Sequence, residues 1–269
     1  MNRNGILALL VLLAGAAHAE DYPSPTDERV RLSLGFVYLD SSTSVQLDSG
    51  TGAPGTLFKA ENDFGLDKTD FEAKFQLMLR VSERNRLSFD YFSLDRTSLR
   101  TLGPNQEILF GNVALLPGEP VNSNLSIDVL SINYGYSFIH NEKFELAAML
   151  GVNVTDLSAQ AKVNTATRNV DETKNQAGPL PTAGLDGTYV ISKRFYVDAR
   201  AQYFSANVDS FDGSLGVYEV NALYRLRPNV SFALGYEVVK AHLASSQASQ
   251  AGQFNFSTQG PEVFIRVAF

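Results

Sequence analysis

The sequence predicts an all-β chain, a closed antiparallel up-and-down transmembrane barrel of ten strands, with eight as the fallback count. Three observations lead there. Apolar residues recur at every second position through long segments, the period of a strand with one apolar face. Tight turns and long polar loops take turns along the chain. The final stretch, Pro261-Glu262-Val263-Phe264-Ile265-Arg266-Val267-Ala268-Phe269, puts Val263, Ile265, Val267 and Phe269 on one face and stops on an aromatic residue. A frayed end gains little from such a residue, whereas a barrel that must leave no free edge in lipid gains closure.

Residues 1–19 read as a secretory signal, with Arg3, an apolar run over 6–13 and Ala17-His18-Ala19 as a small-residue cleavage site. Eight apolar residues are too few for a membrane-spanning helix, which needs about 20, and no later segment approaches that length. Residues 20–269 then form a single barrel domain. The chain has no cysteine, so an exported fold draws on burial or the bilayer instead of disulfides. It also has no tryptophan, so its 11 Tyr and 18 Phe must supply any interfacial belt. The net charge of −7, without a basic run, argues against a nucleic-acid partner.

The first strand alternates Val30, Leu32, Leu34, Phe36 and Tyr38 against Arg31, Ser33, Gly35 and Val37, and a Gly-rich loop follows over about 41–68. Phe71, Ala73, Phe75, Leu77, Leu79 and Val81 come next, a turn at Ser82-Glu83-Arg84-Asn85, then Leu87, Phe89 and Tyr91. After a second long loop, about 99–124, Leu130, Ile132, Tyr134, Tyr136 and Phe138 share a face. The turn His140-Asn141-Glu142-Lys143 leads into Phe144, Leu146, Ala148, Leu150, Val152 and Val154. A third polar loop is predicted over about 158–178. Leu185, Tyr189 and Ile191, the turn Ser192-Lys193-Arg194, and Phe195, Val197, Ala199, Ala201 and Tyr203 make the next pair. A shorter loop holds Asp209, Asp212 and Gly213. Tyr218, Val220, Ala222, Tyr224 and Leu226 then pair with Val230, Phe232, Leu234, Tyr236 and Val238 across Arg227-Pro228-Asn229, where Pro supplies the fixed φ a turn wants. A polar loop over 244–259 precedes the last strand.

A soluble sandwich also alternates. Predicted strands of about 10 to 13 residues, however, exceed the usual five or six and, tilted about 40°, match an apolar band of roughly 25 Å. Connections short at one end and long at the other suit a barrel inserted from one side.

The terminal Phe269 and its alternating apolar neighbours resemble those of bacterial outer-membrane β-barrels, in the size class of the OmpA-, OmpW- and omptin-like proteins. The resemblance implies residence in the outer membrane, contact with its lipid and lipopolysaccharide, and insertion by the barrel assembly machinery. Oligomeric state is left open by the sequence.

A charge on the lipid face of a barrel costs about 2 to 4 kcal/mol at the midplane, and the central apolar faces carry none. The charges Glu72, Lys74, Arg80, Arg86, Asp90, Glu145, Asp186, Asp198, Arg200, Glu219, Arg225, Glu237, Glu262 and Arg266 fall on the opposite face and are expected to line the lumen as a salt-bridged network. A ten-stranded lumen is only slightly wider than one that side chains fill, so the expectation is pairing, with a narrow channel for small or apolar solutes as the rival.

No catalytic, metal or cofactor site is expected. The omptin proteases need an Asp pair and an Asp-His pair at the outer rim, where the carboxylate orients the His. Here His242 is the one rim histidine, and no Asp lies two residues before it. His242-Leu243-Ala244 also lacks the His-x-Ser of lipid A deacylases, and no His or Cys cluster could hold a metal. The Gly-rich 50–55 stretch lacks the Lys-Ser/Thr of a phosphate loop. The functional class expected is therefore a non-enzymatic surface or structural barrel whose long outer loops engage lipopolysaccharide or external partners, with an omptin-like or lipid-modifying enzyme as the second alternative to it after the narrow channel. Among the outer loops the apolar stretch Ile108-Leu109-Phe110 and Val113-Ala114-Leu115-Leu116 is expected to pack on its neighbours.

Overall fold

The computed structural model describes residues 23–49, 54–208, 211–246 and 251–269. The signal-type leader over residues 1–19 lies outside the described residues, as do Gly50, Thr51, Gly52, Ala53 and Asp209. Among the described residues there are thirteen strands: β1 (Val30–Leu47), β2 (Phe58–Lys59), β3 (Thr69–Arg80), β4 (Asn85–Thr101), β5 (Ile108–Phe110), β6 (Val113–Leu115), β7 (Pro120–His140), β8 (Phe144–Asn164), β9 (Asn169–Val190), β10 (Phe195–Val208), β11 (Phe211–Arg227), β12 (Val230–Ser245) and β13 (Gly252–Ala268). A one-turn helix α1 (Ala60–Asp63) lies between β2 and β3.

Ten of these, β1, β3, β4 and β7 to β13, form one closed antiparallel barrel in chain order. Closure is made by β13, which pairs with β12 on one side and with β1 on the other, Leu32 facing Val267 and Phe36 facing Val263. The chain end is held within the ladder: the Phe269 carbonyl accepts from the Val30 N–H at 3.0 Å and the Phe269 N–H donates to the Val30 carbonyl at 2.9 Å. No strand edge is left at the seam, which is what lipid requires of a sheet. The tight turns after β3, β7, β9 and β11 fall where the sequence places them.

The strands are longer than the sequence suggests. The barrel strands run from 12 residues in β3 to 22 in β9, and many of the residues read as loops continue the wall beyond the membrane. The stretch over 158–178 is the largest correction, because β8 and β9 stay paired up to Asn164 facing Asn169. Likewise β1 continues to Leu47 and β13 begins at Gly252. Above the bilayer water replaces lipid outside the barrel, so a strand there needs no apolar outer stripe and its text turns polar.

The lower wall is apolar outside. Phe36, Phe71, Leu150, Leu185 and Leu234 are each about half exposed or more on a closed sheet, a continuous patch that a soluble exterior does not carry. Tyr134, Tyr136, Tyr189 and Tyr224 ring it toward the tight-turn end, and Tyr38, Tyr91, Tyr203, Tyr218 and Tyr236 toward the loop end. Tyrosine thus makes both belts without tryptophan, its ring in apolar contact and its hydroxyl at the wet edge. Immediately past the upper ring the outward positions become Asp40, Asp95, Asp128 and Asp156, and the Tyr91 hydroxyl donates to Asp128 at 2.9 Å.

Inside, the pattern inverts. Along β4 the inward residues read Arg86, Ser88 and Asp90 and then Phe92, Leu94 and Arg96; along β13, from the far end, Arg266, Phe264 and Glu262 and then Thr258, Phe256 and Phe254. The lower lumen is ionic, and the upper lumen holds the main apolar core. Val37, Leu39, Leu94, Val121, Val163, Phe254 and Phe256 from the wall pack there with Phe58, Phe64, Ile108, Phe110 and Leu115 from the excursions between strands.

Candidate functional site

The lumen divides into a floor, a chamber and a cap. At the tight-turn end the segment before β1 enters the barrel, and Glu28 lies between two guanidinium groups, Arg31 at 2.9 Å and Arg225 at 2.6 Å, all three buried. Arg31 also donates to the Pro25 carbonyl and Arg225 to the Pro23 carbonyl. Glu145, fully buried on β8, takes both nitrogens of Arg80 at 2.8 Å and one of Arg86 at 3.3 Å. Arg86 reaches on to Asp186 at 2.8 Å, and Arg200 then bridges Asp186 at 3.2 Å and Asp90 at 3.0 Å. Arg266 pairs with Asp198.

One level up, the Lys74 ammonium is surrounded by three carboxylates: Glu219 at 3.2 Å, Glu262 at 2.9 Å and Glu237. Carboxylate oxygens of the three glutamates lie within 4.8 Å of one another. Such a cluster could hold a cation, but here the lysine already supplies the positive charge. Burying so many ions is tolerable only because each has partners.

Thirteen of the fourteen charges singled out from the sequence therefore meet in these clusters. Glu72 is the exception and corrects that expectation. It sits on β3 above Lys74, where β3 no longer pairs with β4, and its neighbours are Asp70 and Asp95. Sequence reasoning missed Glu28 and left Arg31 out of the charged set. The signal for Arg31 was its alternation with Val30 and Leu32; Glu28, before the strand, carried none. The pairing of Glu61 with Arg96 at 2.8 Å inside the cap was also missed, since both residues stand in stretches that read as loop or loop edge. Of the terminal set, Ile265 and Phe269 are exposed on the outer wall, Val263 is half-buried, and Val267 is covered.

Above the floor lies a chamber of about 300 Å³. Its walls are apolar: Phe92, Ile127, Val129, Leu157, Val217 and Val239 among others, continuous with the core under the cap. Its base is polar, with Lys74, Asp90, Arg200, Glu219 and Glu237, whose formal charges sum to −1. Gln76, Asn153 and Gln202 add hydrogen-bonding groups at that level. The volume falls at the lower end of small-molecule sites, which combine apolar walls with a few placed polar groups.

The cap is the apolar stretch after β4. Phe110 meets Phe58 and Phe64 with ring centroids 5.8 and 6.2 Å apart, and Ile108 and Leu115 are buried beside them. Leu109 and Leu116 stay exposed. The Arg168 guanidinium at the tip of the β8–β9 hairpin clasps Glu119, with Nη1 2.7 Å from each carboxylate oxygen. At the outer wall His242 contacts Asn255, with Nδ1 2.5 Å from Oδ1, and Asp212 accepts from Asn207 at 3.2 Å. His140, at the opposite end of the barrel, lies 3.4 Å from Asp27 and 3.5 Å from Glu145.

No protein-family model and no curated protein sequence matches the chain. Solved structures do. The outer membrane protease OmpT from Escherichia coli superposes with a TM-score of 0.60 at 10% identity, over 93% of this chain and 100% of that one. Ail, the attachment invasion locus protein of Yersinia pestis, gives 0.37 at 10% identity over 88% and 99%, and the toluene transporter TodX of Pseudomonas putida 0.35 at 10% over 90% of each. At such identity the first likeness is one of fold alone, and the other two, at TM-scores of 0.37 and 0.35, carry no argument. Closed wall and apolar belt make this a membrane-spanning barrel, and its fold is that of the small bacterial outer-membrane β-barrels, with no individual member indicated.

Proposed function

We propose that this outer-membrane barrel is a non-enzymatic binding protein that holds a small elongated apolar molecule, with an uncharged or amine head, in the upper lumen. The observation that carries the reading is the apolar chamber set directly on an ion-paired floor. A conduit for ions would need free charges and water along its length. Here the floor cations are already matched: Lys74 by three carboxylates, Arg200 by two. An apolar chain gains from leaving water for the chamber walls, and a hydroxyl or ammonium head finds acceptors at the base. A carboxylate head would meet a formally negative base with no spare cation, a desolvation cost without a partner.

The test is retention of ligand by the purified barrel, read as bound mass in native mass spectrometry after detergent removal, with decanol, decylamine and decanoate as probes. The proposal expects decanol and decylamine to be retained and Val239→Arg, which puts a charge into the wall, to abolish retention. Absence of any retained probe overturns it.

A further inference from the structure

The wall of the barrel is interrupted beside the chamber. Along β9 the ladder to β8 is unbroken from Asn169 to Tyr189, yet β9 pairs with β10 only from Ala183, facing Tyr203, to Val190. Above that pair, residues 169–182 of β9 and 204–208 of β10 have no partner across the seam, although β10 stays paired with β11 as far as Val208. The sequence supplies the cause. Pro179 and Pro181 have no N–H to give, and in a strand successive N–H groups point to alternate sides, so two prolines two apart lose donors on the same side. The β8 ladder passes through both, with Val154 facing Pro179 and Val152 facing Pro181, so the missing donors are on the side toward β10.

A second break, between the upper parts of β3 and β4, is filled. There β3 pairs with β4 only up to Lys74 facing Phe92, and the segment around α1 plugs the gap: Arg96 binds Glu61 and the Asp67 carbonyl, and Ser98 donates to the Phe64 carbonyl. Among the described residues one hydrogen bond reaches across the lower end of the β9–β10 break, from the Gln202 amide to the Thr182 hydroxyl at 3.4 Å, and no comparable plug fills the seam above it. Gly178 marks the opening. A Cβ placed on it meets no atom within 4 Å, whereas at Gly184, in the paired part of the same strand, it would lie 2.1 Å from the Ala201 carbonyl oxygen. Ala177 and Pro179, whose positions face outward, border the chamber together with the inward Leu180. The chamber therefore reaches the outer surface through this seam, at and just above the level where the Tyr203 ring marks the edge of the apolar belt.

We propose that the β9–β10 break is a lateral portal through which apolar molecules dissolved in the outer leaflet enter the chamber, so that loading proceeds from the membrane and bypasses the capped mouth. The inference rests on the binding reading above and adds its route. An unpaired edge in the wall costs the backbone hydrogen bonds that lipid cannot replace. Placing the break at the upper rim, where water and head groups meet the exposed N–H and C=O groups, keeps that cost low while still opening toward the acyl chains.

Because the chain has no cysteine, access can be read by thiol labelling of the full barrel in lipid vesicles. Val217→Cys places a thiol on the chamber wall. With the bilayer-soluble N-pyrenylmaleimide the proposal expects rapid labelling, and slow labelling with a charged maleimide confined to water. Adding Ala177→Trp, which sets a ring over the outer face of the seam and leaves the chamber wall unchanged, should slow the pyrenylmaleimide reaction by roughly ten-fold or more, since thiol reactivity follows access. Ala177→Leu should slow it less. Heat-modifiable gel migration confirms that each variant is folded. Labelling at an unchanged rate in both folded Ala177 variants overturns the portal while leaving retention of decanol intact; loss of decanol retention by the parent barrel instead overturns the binding reading.

Discussion

Arg80 and Glu145 face each other across the floor of the barrel as a two-bond pair, Nη1 to Oε1 and Nη2 to Oε2 both 2.8 Å, with side chains 4% and 0% exposed. The strands that carry them, β3 and β8, are not neighbours in the sheet. The pair therefore ties wall strands that have β4 and β7 between them, and the geometry is the fork-to-fork contact that makes arginine a strong carboxylate partner. Ser137 donates a further bond to the same carboxylate.

Glu145→Leu should leave Arg80 buried without its carboxylate, while Arg86 keeps Asp186, and lower stability by about 3 to 5 kcal/mol, read as a shift of the urea midpoint of the barrel refolded in lipid. Adding Arg80→Met to the same chain should recover most of the loss, because an apolar replacement of both members of a buried ion pair is close to neutral. Destabilisation that persists in the double variant would mean that packing, and not unpaired charge, is the source.

Equal exposure has opposite meanings at two leucines. Leu150 is 66% exposed within the apolar belt and Leu99 is 74% exposed on the upper part of β4, where Asn122 faces it. Leu150→Arg is expected to cost about 2 to 4 kcal/mol in bilayer refolding, and Leu99→Arg to stay within about 0.5 kcal/mol. Equal penalties at the two sites would contradict the placement of the belt.

Phe110→Ala removes a ring from the cap that Phe58 and Phe64 both touch. The expected loss, roughly 3 to 5 kcal/mol for a buried aromatic, is local to the cap. Proteolysis within 54–66 and 102–119 should accelerate while the barrel keeps its heat-modifiable migration. Unfolding of the whole barrel would show that cap and wall are one cooperative unit.

Head-group choice follows from the charge of the chamber base. Decanoate should bind more weakly than decanol by about ten-fold or more, a difference of about 1.4 kcal/mol or more, and Glu237→Gln should narrow the gap by removing one carboxylate beside Lys74. Preference for decanoate would place an unpaired cation in the chamber.

Much of the wall was legible in the sequence because the bilayer enforces a period of two. Leu130, Ile132, Tyr134 and Tyr136 alternate with polar residues since lipid lies on one side and paired ions on the other. The seam at Phe269 and the tight turns were readable for the same reason. What could not be read is the change of solvent along a strand. Past Tyr38 on β1 the apolar residues are Leu39, Val45 and Leu47, which point inward, while Asp40 points out; a rule that sends apolar residues to lipid assigns them to the wrong side. The paired stretch over 158–178 was hidden because, with water outside, its outward positions needed no apolar residue. The chamber was hidden for a related reason: Phe254 and Phe256 belong to a stretch that reads as polar loop, and only the folded barrel brings them opposite Ile127 and Leu157. The break at Pro179 and Pro181 was present in the letters, but its consequence depends on which side the missing N–H groups face.

The central claim is that the ions of the lumen satisfy one another and close the conduit, leaving the chamber above as a place to bind and not to conduct. Single-channel recording of the purified barrel in planar bilayers tests this most directly. The account predicts a flat current at all applied voltages for the native chain, whereas well-resolved unitary openings in the native chain would contradict it.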